Sequence, residues 1–206
     1  MAVFDHLVYA TPDLEATVAA LAAATGVRAA PGGRHEGLGT RNALVGLSGT
    51  GGYLEVVGPD PDDAGPNPVT VFGIDSLTRP QLVTWAARVD GIDDAVGQAR
   101  AAGYDAGEVL AMTRRRPDGV ELAWRLCLPT GGFDGIVPFL IDWGDTPHPS
   151  VGLPALHLSE WRAEHPAPHE VGAALAAVDA KLDLTPSAEA RLYAVVEGPA
   201  GRYRLG

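Results

Sequence analysis

The chain predicts an α+β fold in which a β-α-β-β-β unit is repeated and a shorter β-α-β-β piece closes the molecule. Two observations carry this expectation. Alternating apolar runs and a helix-period run follow one another in the same order twice, first from Phe4 and again from Val83. Glycine and proline clusters separate the runs, so neither repeat reads as one long helix or as a parallel βα array.

The first unit opens with the strand Phe4-Asp5-His6-Leu7-Val8-Tyr9-Ala10. Thr11 is placed to cap the following helix, Pro12 suits its first position, Asp13 and Glu15 complement its dipole, and Leu14, Val18 and Leu21 mark one face. Gly26 ends it. After Val27–Ala30, a glycine-rich stretch over Pro31–Thr40 leads into the strand Arg41–Leu47, and Ser48–Gly52 turns the chain into Tyr53–Gly58. Asp60–Pro68 is acidic and rich in proline and glycine, and Val69–Leu82 has room for a short helix.

The second unit takes its strands from Val83–Val89, Val109–Thr113, Leu122–Leu128 and Ile136–Trp143, with a helix carrying Ile92, Val96 and Ala99 and ending at Gly103. The last piece combines a strand near Ala155–Trp161, a helix with Val171, Leu175, Val178 and Leu182, and a hairpin whose arms Ala190–Val196 and Arg202–Leu205 meet at Gly198–Gly201. The expected division is 1–60, a linker with a short helix over 61–82, then 83–146 and 147–206. The final piece packs on the same body, where it covers a cavity, extends the sheet or forms a homodimer surface.

Composition narrows the functions. With 46% hydrophobic residues over 206 positions the chain can bury an ordinary core, and its formal charge of −11, with Lys181 the single lysine, offers no basic stripe for nucleic acid. Arg114-Arg115-Arg116 beside Pro117-Asp118-Gly119 reads as a solvated hairpin end, with a phosphate or carboxylate role as the lesser alternative. The lone Cys127 forms no intrachain disulfide and reads as core filler. The chain starts on a strand and carries no apolar run of membrane-spanning length, so a cytoplasmic protein with no membrane partner is expected. Nucleophile-elbow, P-loop and dinucleotide motifs are absent, which weakens hydrolase, NTPase and dehydrogenase readings.

His6 and Glu55 are the informative pair. Each is the lone ionisable residue on one face of an apolar alternation, pointing the same way as Phe4, Val8, Tyr53 and Val57. If their strands are neighbours, imidazole and carboxylate converge either on a divalent cation or on each other in a cavity wall. His35, on the glycine-rich segment, is placed to close over that site if Gly32, Gly33, Gly37 and Gly39 supply positive φ and mobility, with a surface histidine on a hairpin as the alternative. Arg34 or Arg41 suits an anionic ligand, and Asn42 suits a carbonyl. Trp85, Trp124, Trp143 and Trp161 are candidates for an aromatic cleft, with core packing as the alternative. His148, His157, His165 and His169 show no zinc spacing and read as turn and surface residues.

Three motifs give the chain a family likeness: Asp5-His6-Leu7-Val8-Tyr9-Ala10 with Pro12-Asp13-Leu14, Gly33-Arg34-His35-Glu36-Gly37-Leu38-Gly39-Thr40-Arg41-Asn42, and Tyr53-Leu54-Glu55. Over Ala2 to about Asp145 the sequence resembles the glyoxalase-like domain branch of the vicinal oxygen chelate superfamily. The resemblance implies paired β-α-β-β-β modules curved around a cleft, with a divalent metal (Zn, Mn, Ni or Fe) held on the first and last strands of both modules. His6 and Glu55 match the first module's ligand positions. In the second, aligning the helices sets Trp85 opposite His6, and aligning Phe139-Leu140-Ile141 on Tyr53-Leu54-Glu55 sets Ile141 opposite Glu55, neither of which ligates.

The resemblance also implies a small-molecule enzyme of lyase, isomerase or dioxygenase type. Glu55, His6 and His35 are its catalytic candidates, Arg41, Asn42 and Trp85 its substrate-binding candidates, and His6 and Glu55 its metal ligands. The alternative is a non-catalytic small-molecule binder or antibiotic-sequestering protein of the same fold.

Overall fold

A computed structural model describes residues 1–35, 37–63, 71–115, 119–129 and 132–206. The Arg116-Pro117-Asp118 part of the expected hairpin end, Glu36, and the 64–70 part of the acidic crossing lie outside the described residues.

The first unit comprises β1 (Val3–Ala10), α1 (Leu14–Thr25), β2 (Ala30–His35), β3 (Thr40–Ser48) and β4 (Gly52–Pro59). The second comprises β5 (Gln81–Arg88), α2 (Ile92–Ala101), β6 (Val109–Arg115), β7 (Glu121–Cys127) and β8 (Phe139–Asp142). In each, the first and last strands pair in parallel, β1 with β4 and β5 with β8, and the inner hairpins are antiparallel. The two units join along β1 and β5, antiparallel, with His6 opposite Ala86. Among the described residues the pairing of Arg34 with Arg115 links β2 to β6, and β3–β4 pairing completes a mixed sheet curled into a barrel.

Local chemistry explains the helix ends. Asp13, not Thr11, caps α1, its carboxylate accepting from the Ala16 N–H at 3.0 Å, while Thr11 bonds Thr17 Oγ1 at 2.7 Å. Gly26 ends the helix in the left-handed region at φ 76°, and its N–H returns to the Ala22 carbonyl. The α2 face is the expected one, with Ile92, Val96 and Ala99 buried. Helices and outer sheet faces share one apolar core, whereas Val8, Val57, Ala86, Phe139, Ile141 and Trp143 form a second cluster inside the barrel.

Three further expectations are corrected. The glycine-rich stretch is a strand as far as His35, and only Gly37 and Gly39, in the turn that follows, take positive φ. The run Ile136–Trp143 is a strand only over Phe139–Asp142; Ile136 and Val137 are buried in the turn before it. The C-terminal piece, β9 (Ala155–His165), α3 (Pro168–Ala177), β10 (Asp183–Pro186), β11 (Arg191–Gly198) and β12 (Gly201–Leu205), holds one strand more than expected. It is not a third copy of the repeat: β9 pairs in parallel with β10 across α3, and its own β11–β12 hairpin lies on the other side. β9 also pairs in parallel with β3 over Ala155–His157, extending the sheet.

Candidate functional site

A cavity of about 190 Å³ occupies the barrel interior. The first module supplies most of its polar wall, His6, His35, Asn42, Tyr53 and Glu55, joined by Arg114 from β6. The second module supplies an apolar wall that includes Met112, Trp124, Leu126, Phe139, Ile141 and Trp143. Leu38, Val71 and Phe72 contribute from the connections; Phe72 is held at φ 55°, a costly conformation for a bulky residue, with its ring 6.5 Å from that of Phe139.

His6 reaches this space because β1 carries a bulge. Phe4 pairs with Ala87 and His6 with Ala86, so Asp5 is the extra residue and the alternation breaks there. Phe4 therefore does not share the face of His6 and Val8: it stacks on Trp85 and meets Trp161 in the outer core. The bulge also turns the buried Asp5 carboxylate onto its neighbour, Oδ1 lying 2.6 Å from His6 Nδ1. Its other oxygen accepts from Trp143 Nε1 at 3.1 Å and lies 2.9 Å from His148 Nε2. Burial alone would raise the Asp5 pKa, but the hydrogen bonds from His148 and His6 and their charges hold it far below the usual carboxylate range. An ionised Asp5 fixes the proton of His6 on Nδ1 and leaves Nε2 facing the cavity. The His6 ring stacks on Tyr53, with centroids 4.6 Å apart, and burial pushes the Tyr53 phenol well above 10.0, so it stays neutral.

Glu55 stands at the centre of the polar wall. Oε1 accepts from Asn42 Nδ2 at 2.5 Å; Oε2 accepts no hydrogen bond among the described residues and lies 3.7 Å from His6 Nε2. Asn42 Oδ1 accepts from Arg114 Nη1 at 2.8 Å, which fixes the amide orientation. The remaining Asn42 N–H faces His35 Nε2 at 3.3 Å, so that nitrogen accepts and Nδ1–H of His35 donates to Thr40 Oγ1 at 2.8 Å. This tautomer suits a neutral ring, and burial, opposed by Glu55 and reinforced by Arg114 and His6, lowers the His35 pKa below 6.5.

The structure therefore brings together His6, Glu55, His35 and Asn42. Arg41 and Trp85 lie elsewhere. Arg41 pairs with Glu15 on α1, and Arg34 with Asp60 and Asp62. Trp85 is buried outside the barrel, where Nε1 donates to the Ile136 carbonyl at 2.8 Å. Trp124 and Trp143 line the cavity, while Trp85 and Trp161 pack against each other in the outer core. Arg114, expected on a solvated hairpin end, is 4% exposed and lines the cavity, and His148, expected on the surface, is bonded to Asp5. Alternation from Arg114 back to Met112 and Leu110 on β6 is the available signal for the arginine. His148 offers none, because its partner is 143 residues away. Cys127 is buried, and burial raises its thiol pKa.

The matching registers of β1–β4 and β5–β8 set Ala86 opposite His6 and Phe139 opposite Tyr53, hence Ile141 opposite Glu55. The counterpart of His6 is Ala86 and not Trp85. Neither second-module position carries a donor atom, and among the described residues no group of three or more His, Cys, Asp or Glu has the arrangement to hold a metal ion. These residues do not fit the two-module metal centre that the resemblance implies.

A family model described as a glyoxalase-like domain matches residues 4–180, which spans both modules, β9 and α3. The chain belongs to the glyoxalase-like domain family. Comparison with curated proteins returned no match. Among solved structures, a hypothetical protein from Staphylococcus aureus is similar over 100% of this chain and 86% of its own, at 14% identity and TM-score 0.66. A single-substitution variant of Streptomyces coelicolor methylmalonyl-CoA epimerase, in complex with 2-nitronate-propionyl-CoA, is similar over 71% of this chain and 98% of its own, at 21% identity and TM-score 0.50. At these identities the likeness is one of fold. The glyoxalase-like match runs past Asp145, where the motif resemblance stops, into the C-terminal piece. Among the described residues, no helix of this glyoxalase-like protein is long and apolar enough to cross a membrane.

Proposed function

We propose that this glyoxalase-like protein is a small-molecule enzyme of lyase or isomerase type that moves a proton at a carbon next to a carbonyl, with Glu55 as base. The supporting observation is the division of labour between the Glu55 oxygens: Asn42 holds Oε1, while Oε2 is free of hydrogen bonds among the described residues and faces the cavity wall beside His6 Nε2. A carboxylate held by one oxygen and bare at the other, against apolar walls, is oriented and underhydrated, as a general base needs.

In the step, Glu55 Oε2 takes the proton and the C–H electron pair moves toward the carbonyl oxygen as an enolate. Glu55 returns its proton to the enolate carbon; His6, its Nδ1–H held by Asp5, presents Nε2 to the same space as a proton acceptor, and neutral His35 keeps Asn42 and thereby Glu55 in place. No step is routed through a metal, because the second module places Ala86 and Ile141 where donors would be needed. The alternative, a small-molecule binder, is favoured by the apolar character of that same half of the cavity.

Proton NMR in deuterium oxide separates the two readings. A set of small 2-oxo, 2-hydroxy and arylacetic acids is incubated with the protein, and exchange of the hydrogen next to the carbonyl is followed. Enzyme-dependent exchange is expected for at least one compound; binding without exchange across the set favours the binder.

A further inference from the structure

We propose that Arg114 is the recognition site for a carboxylate on the ligand, so that this cavity takes a small organic acid with an apolar or aromatic body. The inference rests on the acid–base reading of the same cavity and names its substrate class. Arg114 is 4% exposed and lines the cavity, yet among the described residues no carboxylate lies within ion-pair distance of it. Its Nη1 donates to the neutral Asn42 amide, and its buried Nε has no partner among the described residues. A guanidinium is always charged, and burying it with only a neutral amide in direct contact is unfavourable. An incoming carboxylate, which can accept two parallel N–H bonds, supplies both the missing charge and the missing acceptor.

The surroundings are built for this side chain. β2 crosses it with two glycines: a Cβ at Gly32 would stand 2.0 Å from Asn42 Oδ1 and 2.9 Å from Arg114 Nη1, and one at Gly33 would stand 2.5 Å from the Arg115 carbonyl oxygen and 3.0 Å from Arg114 Cγ. Neither glycine has a positive φ, so space and not backbone conformation requires them. Asn42 bonds Arg114 through one end of its amide and Glu55 through the other. A short acid anchored on the guanidinium therefore sits in the cavity that Glu55 also lines. Trp124, Phe139 and Trp143 are placed for the rest of the molecule.

The test is calorimetric titration at constant ionic strength with phenylacetate, its neutral isostere phenylacetamide, acetate and inorganic phosphate, on wild type, Arg114→Met, Arg114→Lys and Glu55→Gln. Wild type is expected to prefer phenylacetate to phenylacetamide by about tenfold or more, Arg114→Met to lose that preference, and Arg114→Lys to keep part of it. Glu55→Gln is expected to retain the preference, so absence of proton exchange with the preference intact removes the base reading alone. Equal affinity for acid and amide in wild type would overturn the proposal. So would undiminished acid binding in Arg114→Met, or phosphate binding with neither acetate nor phenylacetate bound at millimolar concentration. If Arg114→Met does not fold, the acid-to-amide ratio in wild type and Arg114→Lys decides.

Discussion

Asp5 and His6 are adjacent in sequence yet hydrogen-bonded to each other, Oδ1 to Nδ1 at 2.6 Å, because a bulge in β1 brings both side chains into one layer. Strand neighbours ordinarily point to opposite faces. Here the ionised Asp5 sets which nitrogen of His6 meets the ligand.

Asp5→Asn is therefore expected to lower kcat by about 10- to 100-fold with a small change in KM, since the amide keeps the shape but no longer fixes the His6 tautomer. Steady-state kinetics on a substrate found by proton exchange checks this. His148→Gln, which removes the second imidazole from Asp5 while leaving His6 in contact, is expected to have a smaller effect. Equal losses in both variants would point to a structural role for Asp5.

Stability should fall with acid in two windows. For His35, whose folded pKa lies below 6.5, the contribution is complete above 6.5 and is lost as pH falls from there toward the folded value, because the unfolded chain takes the proton first. For Asp5, also lowered on folding, the contribution is present above 3.8 and is lost as pH falls below it. Urea midpoints measured between neutral pH and pH 4 are expected to decline in wild type and to decline less in His35→Gln over the upper window.

The two kinds of tryptophan should separate stability from binding. Trp85→Ala removes a buried ring from the outer core and is expected to cost about 3–5 kcal/mol of stability in urea denaturation. Trp124→Ala, at the cavity wall 5.3 Å from the Trp143 ring, is expected to cost about 1–3 kcal/mol of phenylacetate binding by calorimetry.

Elemental analysis is expected to find less than stoichiometric Zn, Mn, Ni or Fe after incubation with each ion. Proton exchange is expected to survive chelation. A stoichiometric ion lost in Glu55→Gln would restore the metal centre that the family resemblance implies, with His6, Glu55 and a further donor.

The repeat, both modules and the pair His6–Glu55 are legible in the sequence because alternation and helical period are local patterns, and matching one strand to another sets Ile141 opposite Glu55 as the structure does. The counterpart of His6 is Ala86 where helix alignment points to Trp85, one residue away, because helices do not fix strand register. Phe4 lies on the opposite face from the one alternation assigns it, since a bulge interrupts alternation without a sequence marker. Gly32 and Gly33 read as a flexible lid, but a glycine that makes room for a neighbour looks the same in sequence as one that bends the chain. Arg114 is hidden within a run of arginines, and His148 meets Asp5 only through tertiary packing.

The most direct test compares solvent-deuterium incorporation by wild type and Glu55→Gln on the first compound that wild type exchanges. Loss of the carboxylate at nearly constant shape is expected to slow exchange by about 100-fold or more while leaving the compound bound. Exchange at the wild-type rate in Glu55→Gln would contradict the assignment of Glu55 as base.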